Sequence, residues 1–342
     1  MVLDATGRDI QGEGAVLRAR GPVVRVELPG GLVGGAFTSA RTAALRHRIE
    51  TLVHELLEHL AGQPDDVVDL RRQLAMPLPA EVISQLFGVP EGMRAELCGH
   101  VTTAFDTGAD PAAIHGSVGR VFALLEELVE LRGKTPGDDL ISAMLVQRDE
   151  HGAAFSHAEV VDTLSLMVAA GYETTANLLE QAVAALLTHP DQLDLVRGGA
   201  RSWSDVIEET LRWQAPIAYL PLRYAVEDIE IDGTLIPRGD AIIVSYAAAG
   251  RDDRAYGETA DEFDITRPDK RHHSFGHGVH PCVGAPLARL EARIALPAIF
   301  ARFPELSLAV PASELTPLRS LLTNGHTSLP VRLTRQGGSS AG

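Results

Sequence analysis

Cysteine is scarce in this chain: two thiols, Cys98 and Cys282, occur in 342 residues. They lie far apart; one disulfide is possible in principle, but the usage fits a reduced, intracellular protein better. Basic residues are too few to balance the acids. Thirty Lys and Arg against 46 Asp and Glu give a formal net charge of −16, which argues against nucleic acid as a partner because nothing offsets phosphate repulsion. Long apolar runs are also missing. No stretch approaches the roughly 20 apolar residues of a membrane span. The opening Met1-Val2-Leu3-Asp4-Ala5-Thr6-Gly7-Arg8 lacks the apolar core of a signal peptide. The expectation is a cytoplasmic protein with no membrane association. A chain of this length with 45% hydrophobic residues buries a large core as one large domain or two ordinary ones.

Helical periodicity dominates what is present. One strand signal, Pro22-Val23-Val24-Arg25-Val26-Glu27-Leu28, ends at Pro29-Gly30-Gly31. Residues 42–60 then carry Leu45, Ile49, Leu52, Val53, Leu56, Leu57 and Leu60 at spacings of three and four, an amphipathic helix. Further helices are predicted at 67–87, 91–106, 112–132 and 138–148, punctuated by Gly88-Val89-Pro90 and Thr135-Pro136-Gly137. Residues 157–188 predict one uninterrupted helix stopped by His189-Pro190, of which residues 160–187 alone make a rod of roughly 40 Å. A helix at about 203–214 precedes strands around Arg223–Val226, Ile229–Ile231 and Ala241–Ser245, with Asp232-Gly233 as a turn. A loop at about 250–274, a helix at 286–300 and a short β-like tail to Leu333 complete the order. The fold class expected is mainly α with a smaller β part. Residues 1–336 form a single domain, divided into a strand region (1–35), a helical part (36–214) and a strand-rich part (215–336), before a disordered tail at 337–342.

The segment Ser274-Phe275-Gly276-His277-Gly278-Val279-His280-Pro281-Cys282-Val283-Gly284-Ala285 is the most informative in the chain. Its glycines let the backbone turn sharply and approach a flat ligand. Cys282 stands just ahead of a helix, where N–H dipoles favour a thiolate. Two other readings compete: a structural cysteine in a glycine-rich loop, and zinc held by histidines among His272, His273, His277 and His280 with Cys282.

The pattern Phe275-Gly276-x-Gly278-x-His280-x-Cys282-x-Gly284 resembles the haem-binding loop of cytochromes P450. The resemblance covers roughly residues 38–333, most strongly from 157 onward. It implies a P450-like fold with haem b (iron protoporphyrin IX) as cofactor. Cys282 would be the axial ligand of the haem iron, Phe275 would pack near its sulfur, and His280 would reach a propionate. Arg223 stands where the family places a propionate-binding arginine, although a surface arginine on an edge strand explains it equally well.

Glu209-Thr210-Leu211-Arg212 sets opposite charges three apart on a helix face, by itself an ordinary salt bridge. Its position resembles the family's Glu-x-x-Arg motif. There the pair is buried and locks to a second arginine, for which Arg267 is in place. On the long helix, Ala170-Gly171-Tyr172-Glu173-Thr174-Thr175 holds the only charged residue between Asp162 and Glu180. For an isolated helix a solvated stripe explains Glu173. The resemblance implies instead that Gly171 leaves room for dioxygen, Thr174 hydrogen-bonds it, and Glu173 relays protons.

The chain departs from the family between the opening strand and Ala36-Phe37-Thr38, where the second strand, helix B, the B–C loop and most of helix C are missing. The P450-like fold is therefore expected to be truncated in its N-terminal part. Pro281, where a non-proline residue is usual, is a second departure. The function implied is a haem-thiolate monooxygenase that inserts one oxygen atom from O2 into a small apolar substrate. Because no dinucleotide fingerprint appears, electrons would come from a ferredoxin- or flavodoxin-type donor with its reductase. Five basic residues against two acidic ones between Arg267 and Arg293 suggest a docking face for such a donor. The alternative is a catalytically impaired relative that serves as a binding or scaffold partner.

Overall fold

The structure, a computed structural model, describes residues 45–147, 154–278 and 281–333. The strand signal at 22–28, the connection at 29–35 where the B–C region is expected to be shortened, and the tail at 337–342 all lie outside the described residues. Within them the fold is mainly α with small sheets. Helix α1 spans Arg46–Ala61 and buries Ile49, Val53, Leu57 and Leu60, the apolar stripe read from the spacing. Helix α2 (Pro77–Phe87) starts on a proline, whose missing N–H costs nothing in a first turn, and ends at Gly88 with φ 71°. Helices α3 (Glu91–Phe105), α4 (Pro111–Lys134) and α5 (Leu140–Val146) follow, and Asp110 and Asp139 accept backbone N–H groups at the starts of α4 and α5.

Two expectations fail. Residues 67–87 are not one helix. Val67–Asp69 forms strand β1, and Arg71–Ala75 makes a π-helical turn before α2. The β-branched pair Val67-Val68 finds partners in the C-terminal strand, and tertiary pairing overrides the apolar period. Nor are residues 157–188 one rod. Helix α6 (His157–Gly171) starts with a Ser156/Glu159 capping box and ends at Tyr172, after which α7 (Glu173–Thr188) begins. At the junction the hydroxyl of Thr174 donates to the carbonyl of Ala170 at 2.7 Å. Thr103 and Thr163 make the same back-bond inside continuous helices, so this bond alone does not account for the junction.

Helix α7 is buried on nearly every face, from Glu173 and Thr175 through Leu186. It packs on the π-helical turn, on α9 (Trp203–Trp213) and on α12 (Ala285–Arg302). Between α7 and α9 lies α8 (Pro190–Arg197). Three antiparallel sheets flank the helices. Strand β1 pairs with β7 (Pro330–Arg332), which also pairs with β6 (Ser307–Leu308). Strand β2 (Tyr219–Tyr224) pairs with β5 (Ala241–Ser245), with a register irregularity between Leu220 and Arg223. Strands β3 (Ile229–Ile231) and β4 (Thr234–Ile236) form a hairpin turned by Asp232 and Gly233, both with positive φ. Short helices α10 (Tyr246–Ala249) and α11 (Asp253–Tyr256) lie in the loop before α12. No helix among the described residues is long and apolar enough to cross a membrane.

Candidate functional site

Cys282 stands two residues ahead of the helix-capping Gly284, at the start of α12, and is exposed. Its N–H donates to the Phe275 carbonyl at 2.8 Å, which closes the loop onto itself. Gly276 and Gly278 hold φ values of 73° and 84°, in the left-handed region, so the sharp turns need glycine. A Cβ on Gly284 would stand 3.7 Å from the Cys282 sulfur, so this glycine leaves the thiol's flank open. Although the residue is exposed, the protein packed around its sulfur desolvates the thiol and pushes its pKa up, an effect that the N–H groups of Gly284 and Ala285 and the charge of Arg289 only partly offset. His280 lies outside the described residues. Arg223 is exposed on β2, opposite Ile242.

The loop is anchored from below. The Arg289 guanidinium lies 4.5 Å from the centre of the Phe275 ring, and Glu208 accepts from it at 2.6 and 2.8 Å. His272 completes the group, 3.1 Å from Glu208. Sequence reasoning passed over Glu208, which sits next to the conspicuous Glu209 and carries no motif of its own. Glu209, Arg212 and Arg267 stand together in the interior. Arg212 is fully buried, binds Glu209 through Nε at 2.9 Å and Nη2 at 2.7 Å, and donates to the carbonyls of Gly250, Ala260 and Glu262. Arg267 lies 3.5 Å from Glu209 and donates to the carbonyls of Tyr256 and Thr259. Glu209 also accepts the Asp264 N–H at 2.9 Å. The network therefore pins the loop ahead of Cys282 at several backbone points, a structural task.

The expected basic docking face is largely neutralised within the protein. Arg267 serves Glu209, Lys270 lies 3.2 Å from Asp205, Arg271 pairs with Asp269, and Arg289 serves Glu208.

At the α6–α7 junction Thr174 is part-exposed, and Glu173 is only 2% exposed. Glu173 pairs with Arg71 of the π-helical turn, an arginine that the sequence reading missed because it lies about a hundred residues away. Desolvation raises the Glu173 pKa, Arg71 lowers it, and Glu180 raises it again. A Cβ on Gly171 would stand 3.0 Å from Ile83, so close packing against α2 explains this glycine.

The donor chemistry suits a haem. Among the described residues, which leave out His280, no three His, Cys, Asp or Glu side chains are placed to hold a bare metal ion. One thiolate beside an open face fits an iron whose other ligands arrive with a macrocycle. Cys282, Phe275 and the loop glycines are the residues that would hold it.

A largely helical protein with a cysteine-bearing glycine loop, a buried Glu-x-x-Arg network and a broken acid–threonine helix defines a haem-thiolate type of protein. The chain matches the cytochrome P450 family over residues 113–198 and 203–323, and it belongs to that family. It is 44% identical over 299 residues to 2-hydroxy-5-methyl-1-naphthoate 7-hydroxylase of Streptomyces carzinostaticus, spanning 87% of this chain and 73% of that relative. To 6-deoxyerythronolide B hydroxylase of Saccharopolyspora erythraea it is 39% identical, over 88% of this chain and 74% of the other. The solved structure of CYP154A1 from Streptomyces coelicolor A3(2) superposes with a TM-score of 0.83 at 41% identity, over 97% of this chain and 100% of that one. Members of the family are haem-iron monooxygenases that draw electrons from a redox partner, and these relatives make the chain a bacterial P450.

Proposed function

We propose that this protein inserts one oxygen atom from O2 into an apolar small molecule, using haem b bound through Cys282. A separate ferredoxin- or flavodoxin-type donor with its reductase would supply the electrons. The observation that carries the reading is the Cys282 thiol, exposed ahead of α12 on a loop whose two positive-φ glycines give it a fixed course. Relatives named as hydroxylases of a naphthoate and of 6-deoxyerythronolide B support a bulky carbon skeleton as substrate.

Bound haem supplies the oxygen activation and one-electron chemistry. This chain's residues hold, orient and deliver protons. Phe275 would shield the Cys282 sulfur, and Arg289, 4.5 Å from the ring centre, holds the Phe275 ring in place. Arg223 and His280 are assigned to the propionates. Glu209, Arg212 and Arg267 keep the loop's approach rigid. Thr174 presents Oγ1 at the helix break, where it donates to the Ala170 carbonyl. Glu173 holds a proton at Oε2 and passes it toward Thr174 Oγ1.

The reduced, carbon-monoxide difference spectrum of the haem-supplemented protein tests this reading. A strongly red-shifted Soret band, lost in Cys282→Ser, is the expected result. A haem-replete protein without that band would overturn it and favour the impaired scaffold relative.

A further inference from the structure

Glu173 shares its cation. Arg71 reaches Glu173 through Nη2, while its Nη1 donates to Asn177 Oδ1 at 2.7 Å and lies 3.7 Å from Glu180 Oε1. All four side chains are buried: Arg71 is 5% exposed, Glu173 2%, and Asn177 and Glu180 0%. Glu180 also accepts the backbone N–H of His326 at 2.7 Å and lies 3.4 Å from its Nδ1. The chain at Gly325 presses so close to α7 that a Cβ there would stand 2.5 Å from Asn177 Oδ1 and 2.7 Å from Glu180 Oε1. Among the described residues, neither Glu173 Oε2 nor Glu180 Oε2 has a hydrogen-bond partner.

Two buried carboxylates against one guanidinium leave an excess negative charge in a poorly solvated place. Arginine stays protonated, and a proton on Glu173 relieves that excess, in line with the desolvation and the Glu180 charge that push its pKa up. We propose that Arg71 and Glu180 are positioning residues for Glu173: Glu180 draws on the same guanidinium, which keeps a proton available on Glu173 at the Thr174 end. The proposal rests on the reading of Glu173 as the proton-handling group.

The groups that set this balance come from four elements: Arg71 from the π-helical turn, Glu180 along α7, His326 from the C-terminal segment and Cys98 of α3, whose thiol senses the Glu173 charge.

Infrared titration of the purified full chain reads the carboxyl directly, with or without haem. Glu291 contributes a carboxyl band of its own, so the band of interest is the one that Glu173→Gln removes. Glu180→Gln leaves Arg71 wholly to Glu173, and the midpoint of that band should fall by about one pH unit. Arg71→Gln should raise it by at least as much, and Arg71→Lys should stay near wild type. If Arg71→Gln fails to fold, Glu180→Gln alone decides. In turnover, Glu180→Gln should move the pH profile of kcat with KM unchanged. No carboxyl band that Glu173→Gln removes, or a midpoint unmoved in folded Glu180→Gln, would overturn the proposal. The infrared readout needs no catalysis, so a missing Soret shift would remove the haem reading and leave this result standing.

Discussion

The Arg289 guanidinium sits 4.5 Å over the Phe275 ring, and that placement depends on Glu208, which grips the guanidinium from below. A flat cation stacked on an aromatic face is attracted by the ring quadrupole, and a carboxylate fork fixes its plane. The first residue of the cysteine loop is thereby tied to α9 through two side chains. The tie is electrostatic, so pH can break it.

Burial by itself would raise the Glu208 pKa, but hydrogen bonds from Arg289 and His272 outweigh it and hold the carboxyl at about 2 against an ordinary 4.5. A carboxyl depressed in the folded state adds stability above its unfolded pKa and loses it as pH falls through the folded value. The contribution should be complete above about pH 4.5 and fade toward pH 2. Melting temperatures of wild type and Glu208→Gln should therefore converge on acidification through this window. Curves that stay parallel would show that Glu208 gives the fold no pH-dependent support.

Removing Glu209 leaves Arg212 and Arg267 buried without their carboxylate. Breaking a buried pair in this way costs about 3–5 kcal/mol. Glu209→Ala should unfold at markedly lower urea and retain less haem. A stable, haem-replete but slow Glu209→Ala protein would contradict the structural role.

The residues of the cysteine loop and the Glu209–Arg212 pair were legible because each lies within a short segment and carries a spacing. Most helices were legible too, through their apolar period and through stops such as His189-Pro190. What stayed hidden depends on partners distant in sequence. Val67–Asp69 is a strand because Pro330–Arg332 lies beside it, and nothing local in residues 67–87 announces that. Gly171 suggested space for a small ligand, yet the structure sets Ile83 where its side chain would go. Arg71 carries no motif of its own, and its partner Glu173 lies about a hundred residues away.

Thr174 is the alcohol nearest the helix break, and its hydroxyl is engaged only with the Ala170 carbonyl among the bonds that the structure records for it. If it handles protons for bound oxygen, Thr174→Ala should still bind substrate while product per electron pair consumed falls several-fold. Thr174→Ser should recover most of the coupling. Full coupling in the alanine variant would remove Thr174 from the mechanism.

Glu291 offers the opposite pH signature to Glu208. It is 1% exposed on α12, and among the described residues its Oε2 has no hydrogen-bond partner. Burial pushes its carboxyl up to about 8, so the folded protein holds a proton that the unfolded chain releases near 4.5. Above pH 4.5 the unfolded state binds fewer protons than the folded one, so stability must fall with rising pH until the folded carboxyl itself ionises near 8. At that point the accumulated loss amounts to several kcal/mol, since each unit of separation is worth about 1.4 kcal/mol. Glu291→Gln keeps the shape of the side chain and removes the proton. The stability of wild type relative to this variant should decline steadily between pH 5 and 8, leaving the variant the more stable of the two at the alkaline end. Equal slopes in urea unfolding across that range would mean that Glu291 ionises in the folded protein with a partner, and that α12 carries no buried neutral acid.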